Sequence, residues 1–198
     1  MNLYSDFKVL DLALKSFSNT NININKDSPE FSNQYSLNNA ITIKVHLETA
    51  AKELSLERFA KFENELYSEI FSYINGNNLH EKIGGIICIR ELVNCTSASA
   101  ELKVTKIAKV LSNALNSNTE LTLIELIADT LGHMARYSPV SDVDYLEGEL
   151  NRALGWLQIN GNYGSPNRPS NKSKSTSSTS FRRYAACKVN NVIMYIVF

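Results

Sequence analysis

The sequence predicts an all-α chain, an α-solenoid built from antiparallel helical pairs. Three observations predict it. Apolar residues recur at three-and-four spacing over most of the first 157 positions, the signature of one buried helical face. Only 8 Gly and 4 Pro punctuate the chain, mostly around residues 76–85 and 155–169, so the elements between them should be long. An amphipathic helix, a short turn and a more apolar helix follow one another with a period of roughly 40 residues.

Leu3, Phe7, Leu10, Leu14 and Phe17 give a first amphipathic helix over residues 1–17. Residues 18–37 are rich in Asn and Ser and lack a sustained period, which reads as a flexible insert. Helical pattern resumes near Ala40 and continues through Ile41, Val45, Ala51 and Leu54. A third helix opens at Ser55 or Leu56, aligns Phe59, Phe62, Leu66, Ile70 and Ile74, and ends at Gly76. Asn78, with Glu81 three residues on, forms a capping-box-like start for a fourth. Ile83, Ile86, Ile87, Ile89, Leu92 and Val93 make that helix apolar over much of its circumference, as an inner, buried helix requires. Leu102, Ile107, Val110, Leu111 and Leu115 mark a fifth helix. Leu123, Ile124, Ile127, Leu131 and Met134 mark a sixth, capped by Asn118 or Thr119. After Pro139, Ser141 and Asp144 open a seventh, with Val143, Leu146, Leu150, Ala153, Leu154 and Leu157 on its face.

Periodicity alone fits stacked helical pairs and a compact bundle equally well. The two low-complexity stretches favour stacking, because each would fall between the two helices of a pair and so leave a solenoid from one edge. The organisation is then a first helix at 1–17, an Asn/Ser-rich insert at 18–37, stacked helical-pair repeats at 38–158, a Ser-rich basic linker at 159–180 and a divergent end at 181–198.

Formal charge is zero, but it is unevenly spread. Up to Ile159 there are 14 basic and 20 acidic residues, net −6; from Asn160 on there are six basic and none acidic, net +6. The dispersed acid reads as a solvated surface. Arg168, Lys172, Lys174, Arg182 and Arg183 lack the interleaved aromatics of a single-strand binder, so no nucleic-acid partner is expected. Cys88, Cys95 and Cys187 form no CxxC pair, which argues against a zinc site or a disulfide framework. Cys88, within an apolar run, reads as a small buried side chain. No signal peptide is visible, and the longest apolar stretch, Val192 to Phe198, is far short of the roughly 20 residues that span a bilayer.

Leu56–Leu157 resembles the N-terminal HEAT-repeat region of the target of rapamycin (TOR) kinases. Three stretches carry the resemblance: Arg58-Phe59 through Ile70-Phe71; Glu81-Lys82-Ile83-Gly84-Gly85-Ile86 with Ile89; and Tyr145 through Glu149 with Arg152-Ala153-Leu154 and Trp156-Leu157. The physical reading of these residues is packing. Gly84 and Gly85 inside a helix cost about 1 kcal/mol each relative to Ala, so a close neighbouring helix is expected. Trp156, near a helix end, caps the core of its repeat. The match resumes at Phe181–Cys187 and is lost at Lys188, which we read as a truncated or misread frame ending in a β-prone apolar segment.

No chemistry is expected of this stretch. A kinase needs a Gly-rich phosphate loop, a catalytic Asp and Asn, and a DFG metal site, whereas Asp6-Phe7 is followed by Lys8, and Gly161 and Gly164 sit in a Ser/Asn/Pro-rich loop. His80-Glu81 lacks the second His of a zinc protease, and His46, His80 and His133 are scattered as surface or turn residues. Asp142 and Asp144 suit a helix N-terminal turn better than a metal. Neither a catalytic residue, a cofactor nor a metal site is assigned. The resemblance implies a scaffold that docks protein partners, TOR-complex subunits among them, in nutrient-dependent growth control. It implies a cytoplasmic location, with nuclear or endomembrane association as variants. The alternative is an unrelated armadillo-like adaptor or transport protein.

Overall fold

The computed structural model describes residues 29–95, 97–98, 100–117 and 120–137, together with Ala13, Lys15 and Gly148. These residues form five helices: α1 (Pro29–Glu53), α2 (Leu56–Asn75), α3 (Leu79–Leu92), α4 (Ala100–Ser117) and α5 (Leu121–Tyr137). There is no strand among the described residues, and the fold class is all-α, as expected. The chain divides into two compact units, Met1–Leu111 and Ser112–Phe198.

In the first unit α3 is the central element, packing most extensively on α1 and also on α2, whereas α1 and α2 touch little. The sequence explains its place. Gly84 through Ile89 are all buried and Leu92 is fully so, which leaves α3 without a wide polar face. Its N-terminus is capped by Asn78, whose side-chain oxygen accepts the His80 N–H at 3.0 Å. The Glu81 carboxylate lies beside Gly76, and only the Asn half of the expected box is seen.

The α2 stripe is the expected one: Phe59, Phe62, Leu66, Ile70 and Ile74 are all buried. Leu56, its first residue, is 73% exposed. Gly76 ends the helix in extended backbone with φ −64° and ψ −177°, not in a left-handed turn. Space is its reason, since a Cβ there would meet the Tyr73 carbonyl at 3.2 Å.

Two expectations about α1 are corrected. Its helix starts at Pro29, so residues 29–37, assigned above to a flexible insert, are helical. Proline is pre-organised for a first helical position. The Asn, Ser and Thr residues that follow cost at most about 0.7 kcal/mol each in propensity, small beside the roughly 1.5–3 kcal/mol gained on burying each of Ile43 and Leu47. The buried face also differs: it is Ser36, Ala40, Ile43 and Leu47, while Ile41 and Val45 are 44% and 55% exposed. Their four-residue spacing puts them on a neighbouring stripe. Thr42 and Thr49 satisfy their hydroxyls within the helix, donating to the Asn38 and Val45 carbonyls at 3.0 and 2.9 Å.

The first-unit part of α4 buries Val104, Ile107, Ala108 and Leu111, together with Lys103. In the second unit Ala114 and Leu115 are buried, and α5 buries Leu123, Ile124, Ile127, Ala128, Leu131 and Met134. Both stripes follow the expected spacing, with Val110 only half-buried. The expected helices at 1–17 and 141–157, the Asn118/Thr119 cap, the 159–180 linker and the divergent end lie outside the described residues. Within them, Ala13 is helical and buried, and Gly148 is helical and exposed.

Candidate functional site

The Gly-Gly pair lies mid-helix in α3, and both glycines are buried. A Cβ on Gly85 would stand 2.8 Å from Ile74 Cγ1 and 3.3 Å from the Ile70 carbonyl oxygen, both on α2. The missing side chain therefore lets α3 approach α2. Ile86 is fully buried, whereas Glu81 and Lys82, in the first turn, are half-buried. Arg152, Ala153, Leu154, Trp156 and Leu157 lie outside the described residues.

A polar cluster sits where α3 ends and α4 begins, and the sequence reading missed it. Lys103, 8% exposed, donates from Nζ to the carbonyls of Leu92 at 2.8 Å, Cys95 at 3.1 Å and Val93 at 3.4 Å. These carbonyls end α3 or follow it, and a cation complements the negative end of the helix dipole. Nζ also stands 5.7 Å from the centre of the Tyr67 ring, within cation–π range. Burial pulls the Lys103 ammonium below its usual range, against the opposing pull of Cys95 and Glu63.

From α2, Glu63 reaches the same turn, its Oε2 accepting the Ala98 N–H at 3.0 Å. Glu63 Oε1 and the Tyr67 hydroxyl are buried without a hydrogen-bond partner among the described residues. Burial, then the neighbouring Glu63, push the Tyr67 phenol well above its usual value. Cys95 Sγ lies 3.9 Å from both Glu48 Oε1 and the Glu91 carbonyl, and its thiol too is raised by burial.

Chemically the cluster is built to hold backbone. The three donor directions of Lys103 are committed to carbonyls, and Cys88, fully buried, has its thiol pushed far up by desolvation, which suppresses the thiolate a nucleophile needs. His80 is exposed and His46 and His133 are half-buried. No group of three His, Cys, Asp or Glu side chains is placed to hold a metal among the described residues. No helix among them is long and apolar enough to cross a membrane. Among the described residues the exposed large apolar side chains are Ile41 and Val45, one turn apart on α1, with Leu56 and Leu121 at the starts of α2 and α5.

Fold and site together define a class: an all-helical protein of packed helical pairs whose buried polar groups fasten turns. Its relatives narrow that class. The chain is 34% identical over 116 residues, 59% of its length, to Serine/threonine-protein kinase tor1 of Schizosaccharomyces pombe. It is 30% identical over 142 residues, 71% of its length, to Serine/threonine-protein kinase TOR2 of Saccharomyces cerevisiae. To Serine/threonine-protein kinase TOR of Oryza sativa subsp. japonica it is 28% identical over 118 residues, 60% of its length. The chain carries a TOR-related stretch, and it spans about 5% of the length of these curated relatives, with their kinase part unmatched. No protein-family model matches it, and no solved structure matches it.

Proposed function

We propose that this chain is a non-catalytic helical scaffold of the TOR type, whose exposed helix faces dock protein partners in TOR signalling and nutrient-dependent growth control. The observation that carries the reading is the TOR relationship itself, which covers about 60–70% of a chain whose described residues are all-helical. The packing supports the repeat as well. If α1 is the inner helix of one pair and α2 and α3 form the next, stacked repeats require the inner helices α1 and α3 to meet, and those two share the most extensive contact. The partners are subunits of a TOR complex, and the setting is cytoplasmic. The alternative of an unrelated adaptor or transport protein has no observation of its own in its favour.

The reading is tested by gel filtration of the full chain with each purified subunit of a TOR complex, alongside a phosphoryl-transfer assay of the chain alone with Mg-ATP and a protein acceptor. Co-elution with at least one subunit, and no transfer above a heat-denatured control, are the expected results. Phosphoryl transfer by the purified chain would overturn the non-catalytic assignment.

A further inference from the structure

Side chains from two other elements hold backbone between α3 and α4. Val93 and Cys95 N–H donate back to the Ile89 and Leu92 carbonyls at 3.0 and 3.1 Å, which carries the helical ladder to Cys95. Beyond that, Lys103 of α4 gathers the Leu92, Val93 and Cys95 carbonyls, and Glu63 of α2 takes the Ala98 N–H. The two side chains approach the turn from different helices and carry opposite formal charge, with Tyr67 beside Lys103. Glu63 Oε1 is buried without a partner among the described residues, and such an atom carries a desolvation cost. A cluster that keeps it is better suited to fastening one conformation than to adding stability.

We propose that Lys103 and Glu63 form a two-sided latch that holds the described turn residues 93–95 and 97–98 closed, so that they open as a local unit, separately from unfolding of the α2–α3 core, when either arm is removed. The latch couples the place where α4 begins to both helices before it, and it works through positioning residues, with no part in any chemistry. The charged and titratable groups facing it among the described residues are Cys95 on the turn, Glu63 and Tyr67 on α2, Cys88 of α3 near Tyr67, and, around Cys95, Lys44 and Glu48 on α1 and Glu91 on α3.

Amide hydrogen exchange of the full chain, followed residue by residue by NMR, tests the latch with Glu63→Gln, Glu63→Leu and Lys103→Met. In Glu63→Leu and Lys103→Met, exchange at Ala98 is expected to accelerate at least tenfold while Ile70, in the α2 core, changes less than twofold. Glu63→Gln keeps an acceptor for the Ala98 N–H and should recover most of the protection lost in Glu63→Leu. Unchanged exchange at Ala98 in either severed variant overturns the two-sided latch, and so does equal acceleration at Ala98 and Ile70, which means global destabilisation. If Lys103→Met does not fold, the comparison of Glu63→Leu with Glu63→Gln decides on the same two sites.

Discussion

Glu63 and Tyr67 stand four residues apart on a stripe otherwise made of Phe59, Phe62, Leu66, Ile70 and Ile74, and both are buried with an unpartnered polar atom. A buried hydroxyl without a partner costs about 1–3 kcal/mol. Tyr67→Phe removes it and keeps the ring, including its contact with Phe71, whose centre is 5.9 Å away. Urea unfolding should therefore show this variant more stable than the native chain by about 1 kcal/mol. The same burial sets a pH dependence. The Tyr67 phenol and the Cys88 and Cys95 thiols are all raised in the fold, so above pH 9.0, the ordinary thiol value, the unfolded chain loses protons that the folded chain keeps. Stability falls with rising pH where the unfolded state binds fewer protons. Lys103 acts in the opposite direction, since its lowered value means the folded chain loses a proton first, below 10.5. Three groups oppose one, so thermal unfolding followed between pH 8 and 10.5 should show Tm declining, by less once Cys88 is replaced by Ala and each variant is referred to its own pH 8 value. The cluster was hard to read in the sequence because its two arms, Glu63 and Lys103, lie on different helices and each looks like a surface residue alone. Its trace was there: Lys103 lies four residues before Ile107 on the run Ile107, Leu111, Leu115, and Glu63 interrupts the α2 stripe.

At the scale of elements, α2 and the stripes of α4 and α5 were legible because large apolar side chains at three-and-four spacing leave only one face to bury, and α3 because it is apolar around much of its circumference. The start of α1 was not, because its apolar residues Phe31, Tyr35 and Leu37 are interspersed with Ser, Asn and Gln and so read as an insert, whereas the helix is held by the packing of Ile43 and Leu47 on the rest of the unit. Its face was misread because Ile41 and Val45 are as apolar as Ile43 and Leu47, and tertiary contact decides which pair is covered. The α2–α3 approach yields a sharper prediction. Alanine at Gly85 gains about 1 kcal/mol in helix propensity, but its Cβ would stand 2.8 Å from Ile74 Cγ1 and 3.3 Å from a backbone oxygen of α2. Neither contact is the free end of a flexible side chain, and overpacking of this kind costs about 1–3 kcal/mol. Gly85→Ala should lower the urea midpoint of the full chain, whereas the same substitution at the exposed Gly148, where a Cβ meets nothing within 4 Å, should not.

At the scale of the whole molecule, fold class and family were legible from two different kinds of signal. Periodicity gave helices and left pairs and bundle undecided; the Glu81–Ile86 and Arg152–Leu157 sequences gave the TOR resemblance, and relatives at 34% and 30% identity bear that resemblance out. Neither signal names a docking surface, because an exposed residue such as Ile41 or Val45 has the same pattern whether it meets solvent or a partner. The scaffold role we propose for this TOR-related stretch requires that the folded chain dock protein, which an equilibrium titration measures. The labelled full chain is titrated with purified TOR-complex subunits under conditions where circular dichroism shows predominantly helix. Saturable, single-site binding to at least one subunit is expected; a folded chain that saturates with none of them contradicts the scaffold role.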